Sequence, residues 1–200
     1  MEYIDEYGDM VRVPLIGARI PDFELEALID GEESKKIKIS DYLGKWMVLL
    51  FYPADFTFIC PTELEAAAIL YPEFQKEGAE ILSVSTDTVF VHKAWHDTSP
   101  SIRKIQFPMV ADPAGKLCKA LGTYLEEEGM SLRATVIVDP DGVIKAMDIH
   151  DNSIGRNSDE ILRKLQAAKF VREHKSEVCT VNWKPGGKTL KPVMDLVGKL

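Results

Sequence analysis

The sequence predicts an α/β fold: a mixed central β-sheet flanked by helices, followed by a C-terminal arm. Three observations carry this. Short apolar runs alternate with helical patterns along most of the chain. One late hairpin signal, Asp139-Pro-Asp-Gly142, adds antiparallel pairing to that order. Beyond about residue 172 the text turns polar and rich in turn residues, as in Glu173-His-Lys-Ser-Glu177 and Asn182-Trp-Lys-Pro-Gly-Gly187. The expected division is therefore a domain over residues 1–171 and an arm over 172–200.

Each element has a local reason. Asp22 to Ala27 alternates polar and apolar residues, as a half-buried strand does, and so does Lys36 to Ser40. Ser40 is placed to cap a short helix that Gly44 ends. Met47 to Tyr52 is the central buried strand. From Thr62 the period becomes helical, with Leu64, Ala67, Ala68, Tyr71 and Phe74 on one face and Gly78 as terminator. Glu80 to Ser85 is a second buried strand. Val89 to Asp97 is a helix that stops before Pro100. Phe107 to Val110 is a short strand. Asp112-Pro113 opens a helix through Leu121, closed by Gly122. Thr135–Val138 and Val143–Met147 are the arms of the hairpin. Asn157 and Glu160 have capping-box spacing and open a helix to about Val171.

Composition excludes several classes of function. The chain has 200 residues and a net charge of −8, with no basic cluster, which argues against nucleic acid as a partner. No apolar run is long enough to span a membrane. The opening Met1-Glu-Tyr-Ile-Asp-Glu6 is acidic, unlike a signal peptide, so a cytoplasmic location is expected. Three cysteines are too few for a secreted disulfide framework, and their spacing, 60 to 118 to 179, matches no zinc pattern. His92 and His96 stand at i, i+4, but no third ligand accompanies them, and a surface pair is expected. No metal or other cofactor is expected.

Cys60 is the residue to which chemistry attaches. It follows the buried run Met47-Val-Leu-Leu-Phe51 and precedes Pro61 and Glu63, which suit the first turn of a helix. A strand-to-helix junction presents unpaired backbone N–H groups that stabilise an anion, and for a thiol the anion is the nucleophilic thiolate. Thr57, three residues earlier, carries a hydroxyl able to donate to that sulfur or to cap a turn. Pro53 terminates the strand. Arg133 stands at the start of a buried strand, where it is either a solvated arginine or a fixed charge at the sheet's edge. Glu63 favours the helix dipole. Cys179 lies in the polar arm, more accessible than a core cysteine. Cys118 borders the apolar stripe of Leu117, Ala120 and Leu121 and reads as a half-buried structural cysteine.

The segment Pro53-x-x-x-Thr57-x-x-Cys60 resembles the active-site motif of the peroxiredoxins. Val178-Cys179-Thr-Val-Asn-Trp183-Lys-Pro-Gly resembles the segment carrying their second cysteine, and Arg133 in Ser-Leu-Arg-Ala-Thr is a third landmark in the family's order. His92-Lys-Ala-Trp95-His96 and the ending Asp195-Leu-Val-Gly-Lys-Leu200 are similar to the bacterial alkyl hydroperoxide reductase subgroup of typical two-cysteine members. The resemblance covers nearly the whole chain and implies a thioredoxin-like fold. It implies a thiol peroxidase in which Cys60 attacks a peroxide oxygen and becomes a sulfenic acid. Thr57 would donate a hydrogen bond there, Pro53 would shield the sulfur, and Arg133 would hold the charge. Glu63 would brace Arg133, and Arg156 would sit at the rim. Cys179 would be the resolving cysteine, forming a disulfide with Cys60 of a neighbouring subunit. A homodimer follows, and a decameric ring of dimers is the family's usual assembly. A flavoprotein disulfide reductase or a thioredoxin would serve as reductant.

The chain lacks the Gly-Gly-Leu-Gly insertion and the C-terminal Tyr-Phe pair of over-oxidation-prone members. Fast disulfide formation and resistance to sulfinic acid formation are therefore expected. Two rival readings remain. A thiol-disulfide oxidoreductase on the same fold would use Cys-x-x-Cys, but position 63 is Glu. A ring-forming holdase or structural assembly would not need Cys60 at all.

Overall fold

The structure is a computed structural model that describes residues 2–4, 10–12 and 14–199. Of the two end segments read above, Met1, Asp5, Glu6 and Leu200 lie outside the described residues. The chain divides into two compact units, Met1–Ser158 and Asp159–Leu200.

The first unit opens with a small ribbon of β1 (Glu2–Ile4) and β2 (Met10–Arg12). The order then runs β3 (Glu24–Ile29), β4 (Glu33–Lys38), β5 (Trp46–Phe51), α1 (Cys60–Lys76), β6 (Ala79–Ser85), α2 (Val89–Thr98) and β7 (Met109–Ala111). It continues with α3 (Lys116–Ala120), the short pair β8 (Tyr124–Leu125) and β9 (Met130–Ser131), then β10 (Arg133–Val138) and β11 (Ile144–His150). Seven strands form one mixed sheet in the order β11-β10-β5-β6-β7-β3-β4. β5, β6 and β7 run parallel, and the outer strands pair antiparallel.

β5 lies at the sheet's middle because all six of its residues are buried, as the unbroken apolar run requires. Met47, Leu49 and Phe51 point to one face, into a core with Leu82, Val84, Val136 and Val138 that Leu117 and Leu121 close from the α3 side. On the other side, α1 packs along β6, and α2 on β3 and β7. α1 buries Leu64, Ala67, Tyr71 and Phe74, while Ala68 sits at the margin. Gly78 ends the turn after it at φ 75°, a value that favours glycine.

Three local expectations are corrected. Ser40 does not cap the short 3₁₀ turn Ile39–Tyr42; the Asp41 carboxylate does, accepting the Lys38 amide at 2.8 Å, while the Ser40 amide donates to Asp22 at 3.0 Å. α3 starts four residues later than Asp112. The Asp112 carboxylate reaches forward to accept the amides of Lys116, Leu117 and Cys118 at 2.7–3.0 Å, and Gly115 takes the left-handed conformation between. The histidines of α2 are not on the surface: His92 is fully buried and His96 nearly so. They share the helix face of Val89 and Trp95, and that face packs inward.

The helix α4 (Ser158–Glu173), close to the expected span, falls in the second unit but for its first residue, and that unit carries a small hairpin of β12 (Val178–Cys179) and β13 (Thr189–Leu190). No helix among the described residues is long and apolar enough to cross a membrane.

Candidate active site

Strand register brings the site together. Ala134 on β10 pairs with Phe51 on β5, so Arg133 lies where β5 ends and the loop to Cys60 departs. Arg133 pairs in turn with His150, the last residue of β11, so the loop 151–156 leaves from the same end of the sheet. Three segments far apart in sequence therefore converge on the first turn of α1. Cys60 is the first residue of that helix, with Pro61 in its opening positions.

Cys60 is fully buried. Arg133 Nη1 donates to Cys60 Sγ at 3.3 Å and to Glu63 Oε2 at 2.8 Å. Its Nε donates to the Asn152 carbonyl at 2.9 Å, and its backbone amide to Asn152 Oδ1 at 3.1 Å. Arg156 reaches Glu63 three times: backbone amide to Oε1 at 2.7 Å, Nε to Oε1 at 3.0 Å and Nη2 to Oε2 at 2.9 Å. Its Nη1 is held by the Ala134 carbonyl at 2.8 Å. One carboxylate thus clamps two guanidiniums, and one of those guanidiniums is fixed against the sulfur. Side-chain exposure of all three charged groups is only 4–5%, so their mutual attraction is weakly screened.

Burial works against the Glu63 carboxylate, but the hydrogen bonds and charge of Arg156, with the charge of Arg133, outweigh it and hold the group below the usual carboxylate range. A carboxyl lowered in the folded state contributes stability that is fully present above its unfolded value of about 4.3 and lost as pH falls through the folded value. Denaturant midpoints should therefore drop on acidification below about pH 4.3, and Glu63→Gln should flatten that part of the profile. An unaltered acid limb in the variant would contradict the linkage.

The other candidates are placed as follows. Pro53 is buried at the end of β5. Thr57 is half-buried, and its hydroxyl donates to the Ala54 carbonyl at 2.9 Å; among the described residues no hydrogen bond joins it to Cys60. Phe56, beside it, sits at φ 56°, a conformation unfavourable for a bulky residue, and Phe58 is 94% exposed. Cys179 belongs to the second unit. It is partly buried on β12, and burial pushes its thiol up while the charge of Arg163 opposes this.

Cys118 is fully buried rather than half-buried. Burial, and then the neighbouring Asp112 carboxylate, push its thiol up to about 12. It should remain a thiol through repeated peroxide challenge. Peptide mass mapping checks this, and a sulfenic or disulfide-bonded Cys118 would contradict it.

Two features of the site were not read from the sequence. Asn152, which fixes Arg133 from two sides, lies in the loop Asp151-Asn-Ser-Ile-Gly-Arg156, and nothing in that loop marks it. The second is a buried polar chain beside the Cys60 loop. Tyr52 donates to Asp55 Oδ1 at 2.7 Å, and His92 Nδ1 meets Asp55 Oδ2 at 2.7 Å. Burial pushes the Asp55 carboxyl up despite the His92 contact. The i, i+4 histidines were the available signal, but their pattern equally fits an exposed pair.

The chain is similar to known proteins over most of its length. The family described as AhpC/TSA matches residues 16–147. Alkyl hydroperoxide reductase C of Pseudomonas aeruginosa is 49% identical over 188 residues, 93% of this chain and 99% of that protein. The Escherichia coli protein of the same name is 47% identical over 186 residues, with the same coverage. Among solved structures, Enterococcus faecalis AhpC superposes with a TM-score of 0.81 at 46% identity, covering 84% of this chain and all of that one. The reduced 2-Cys peroxiredoxin of Plasmodium vivax gives 0.87 at 29% identity, covering 92% of this chain and 96% of its own. The thioredoxin-like fold expected from the sequence is thus the fold found. With a family match over most of the length and an aligned set of relatives near half identity, the chain belongs to the AhpC/TSA family of peroxiredoxins.

Proposed function

We propose that this chain is a thiol-dependent peroxidase that reduces hydrogen peroxide and organic hydroperoxides through Cys60. The observation that carries the reading is the Arg133 guanidinium, itself held by Glu63 and Asn152, directed at a buried cysteine sulfur at 3.3 Å. A donor fixed in advance favours a sulfur anion and a peroxide oxygen bearing developing charge, without reorganisation during reaction. The Cys60 thiolate attacks one peroxide oxygen. An S–O bond forms, the O–O bond breaks, and water or an alcohol leaves after taking up a proton. Cys60 is then a sulfenic acid. Pro53 shields the sulfur, and Thr57 donates to the peroxide once its hydroxyl turns from the Ala54 carbonyl.

Cys179 of a second subunit resolves the sulfenic acid as a disulfide. The arrangement supported is a homodimer. Among the described residues β11 is an edge strand: its start at Ile144 is bonded to Gly17 and Ala18, and beyond it Ile149 is 47% exposed, on a stretch suited to isologous pairing. A ring of five such dimers, and reduction by a flavoprotein disulfide reductase or a thioredoxin, complete the reading. Turnover of that disulfide needs a reducing compartment, in keeping with the cytoplasm. Since Cys60 is fully buried, disulfide formation also requires the segment 56–63 to unwind locally. The loop is poised for this by the strained Phe56 and the exposed Phe58.

The oxidoreductase alternative is disfavoured at position 63, where Glu63 is bound to two arginines in place of a second cysteine. The test is a stoichiometric hydrogen peroxide pulse on reduced protein with thiols blocked at once. A dimer linked Cys60–Cys179 is expected, with little Cys60 sulfinic acid at modest peroxide excess. Unmodified Cys60 would overturn the peroxidase reading and leave the holdase alternative in front.

A further inference from the structure

The second unit contains an arrangement that the peroxidase chemistry above does not use. On α4, Arg163, Ala167 and Phe170 stand at i, i+4 and i+7, on one face of the helix. The hairpin carrying Cys179 is fastened along that face at three points. Arg163 Nη1 donates to the Trp183 carbonyl at 2.8 Å. Cys179 Sγ lies 3.9 Å from the Ala167 carbonyl. The Phe170 and Trp183 rings meet at 5.0 Å. Arg163 is itself held as a fork by Glu160, Nε to Oε2 at 2.6 Å and Nη2 to Oε1 at 2.8 Å. A forked guanidinium has few orientations left, so the carbonyl it holds is fixed too. Trp183 is 5% exposed although it lies in a polar, turn-rich stretch.

We propose that Arg163 is a positioning residue for the resolving cysteine: it fastens the turn after Cys179 to α4 and so holds the sulfur in place. The inference rests on Cys179 being the resolving cysteine. Glu177, two residues before it, is engaged by the Thr189 hydroxyl on the opposite strand. His174 stacks on Phe170, with its Nδ1 at the Phe170 carbonyl. This placement acts on the step in which the Cys179 thiolate donates an electron pair to the sulfenic sulfur of Cys60. The S–S bond forms, the S–O bond breaks, and hydroxide leaves and takes a proton to become water. The Cys179 sulfur is oxidised, the Cys60 sulfur is reduced, and no further reagent is needed.

The experiment is rapid-quench mass spectrometry of the full-length reduced protein after one equivalent of hydrogen peroxide. It follows Cys60 oxidation and disulfide formation separately. Arg163→Met should leave Cys60 oxidation unchanged and slow disulfide formation about tenfold, since a small misplacement of a reacting group is costly in rate. Arg163→Lys can reach the Trp183 carbonyl with a single N–H but lacks the fork, so it should recover only part of the loss and remain about threefold slower than the parent chain. The delay should also raise Cys60 sulfinic acid at a fixed peroxide excess. A parent-like rate of disulfide formation in Arg163→Met would overturn the inference, as would an Arg163→Lys variant no faster than Arg163→Met. If Arg163→Met does not fold, Arg163→Lys alone decides, and a rate equal to the parent's would overturn it. A parent chain that forms no Cys60–Cys179 bridge would instead overturn the two-cysteine reading, and this inference with it.

Discussion

Arg133→Met is expected to slow the oxidation of Cys60 by hydrogen peroxide about 100- to 1,000-fold, the loss typical of removing one preorganised donor from a transition state. The guanidinium is buried and bound on three sides, by Glu63, the Asn152 carbonyl and the Cys60 sulfur. Methionine fills similar volume but offers neither charge nor N–H. The fold should survive, because Glu63 keeps its contacts to Arg156. Arg133→Lys should fall between the two, since it retains the charge without the fork that reaches several partners at once. Stopped-flow mixing of reduced protein with peroxide measures this directly. A rate within threefold of the parent would show that the arginine is structural only.

Glu63→Ala has the larger consequence for stability, about 3–5 kcal/mol, the typical loss when one partner of a buried ion pair is removed. Two guanidiniums would be left buried without their common counter-ion. The Arg156 backbone amide would also lose its acceptor. Oxidation of Cys60 should slow as well, because Arg133 would lose its carboxylate anchor and be restrained only by Asn152 and the sulfur itself. Urea titration of reduced protein at neutral pH gives the stability change. A loss below about 1 kcal/mol would mean that water replaces the carboxylate with little penalty, contrary to the burial seen here.

Much of this arrangement was legible in the residues. The run Met47 to Phe51 announces a central strand because a strand covered on both faces needs no polar alternation. Pro61 and Glu63 mark a helix start, and the position of Cys60 at that junction follows directly. Asp139-Pro-Asp-Gly142 encodes its own turn: Asp139 Oδ1 accepts the amides of Asp141 and Val143, both at 3.0 Å, and Gly142 takes φ 79°. What could not be read locally depends on long-range register. Nothing near Arg156 shows that the end of β11 returns it to a carboxylate 93 positions earlier. The same holds for Asn152. α3 misled for a different reason: Asp112 looked like an adjacent cap, but its carboxylate spans a left-handed Gly115 before meeting the helix amides. His92 misled because a buried histidine with a carboxylate partner has the same sequence pattern as an exposed one.

In the proposed peroxidase, the Arg133–Glu63–Arg156 cradle makes Cys60 a peroxide-reactive sulfur. Its most direct test is the second-order rate constant of hydrogen peroxide with the reduced chain carrying Cys118→Ala and Cys179→Ser. Cys60 is then the only thiol. The expected rate is orders of magnitude above that of free cysteine, with one sulfenic acid formed per chain at Cys60. A rate equal to that of free cysteine would contradict it.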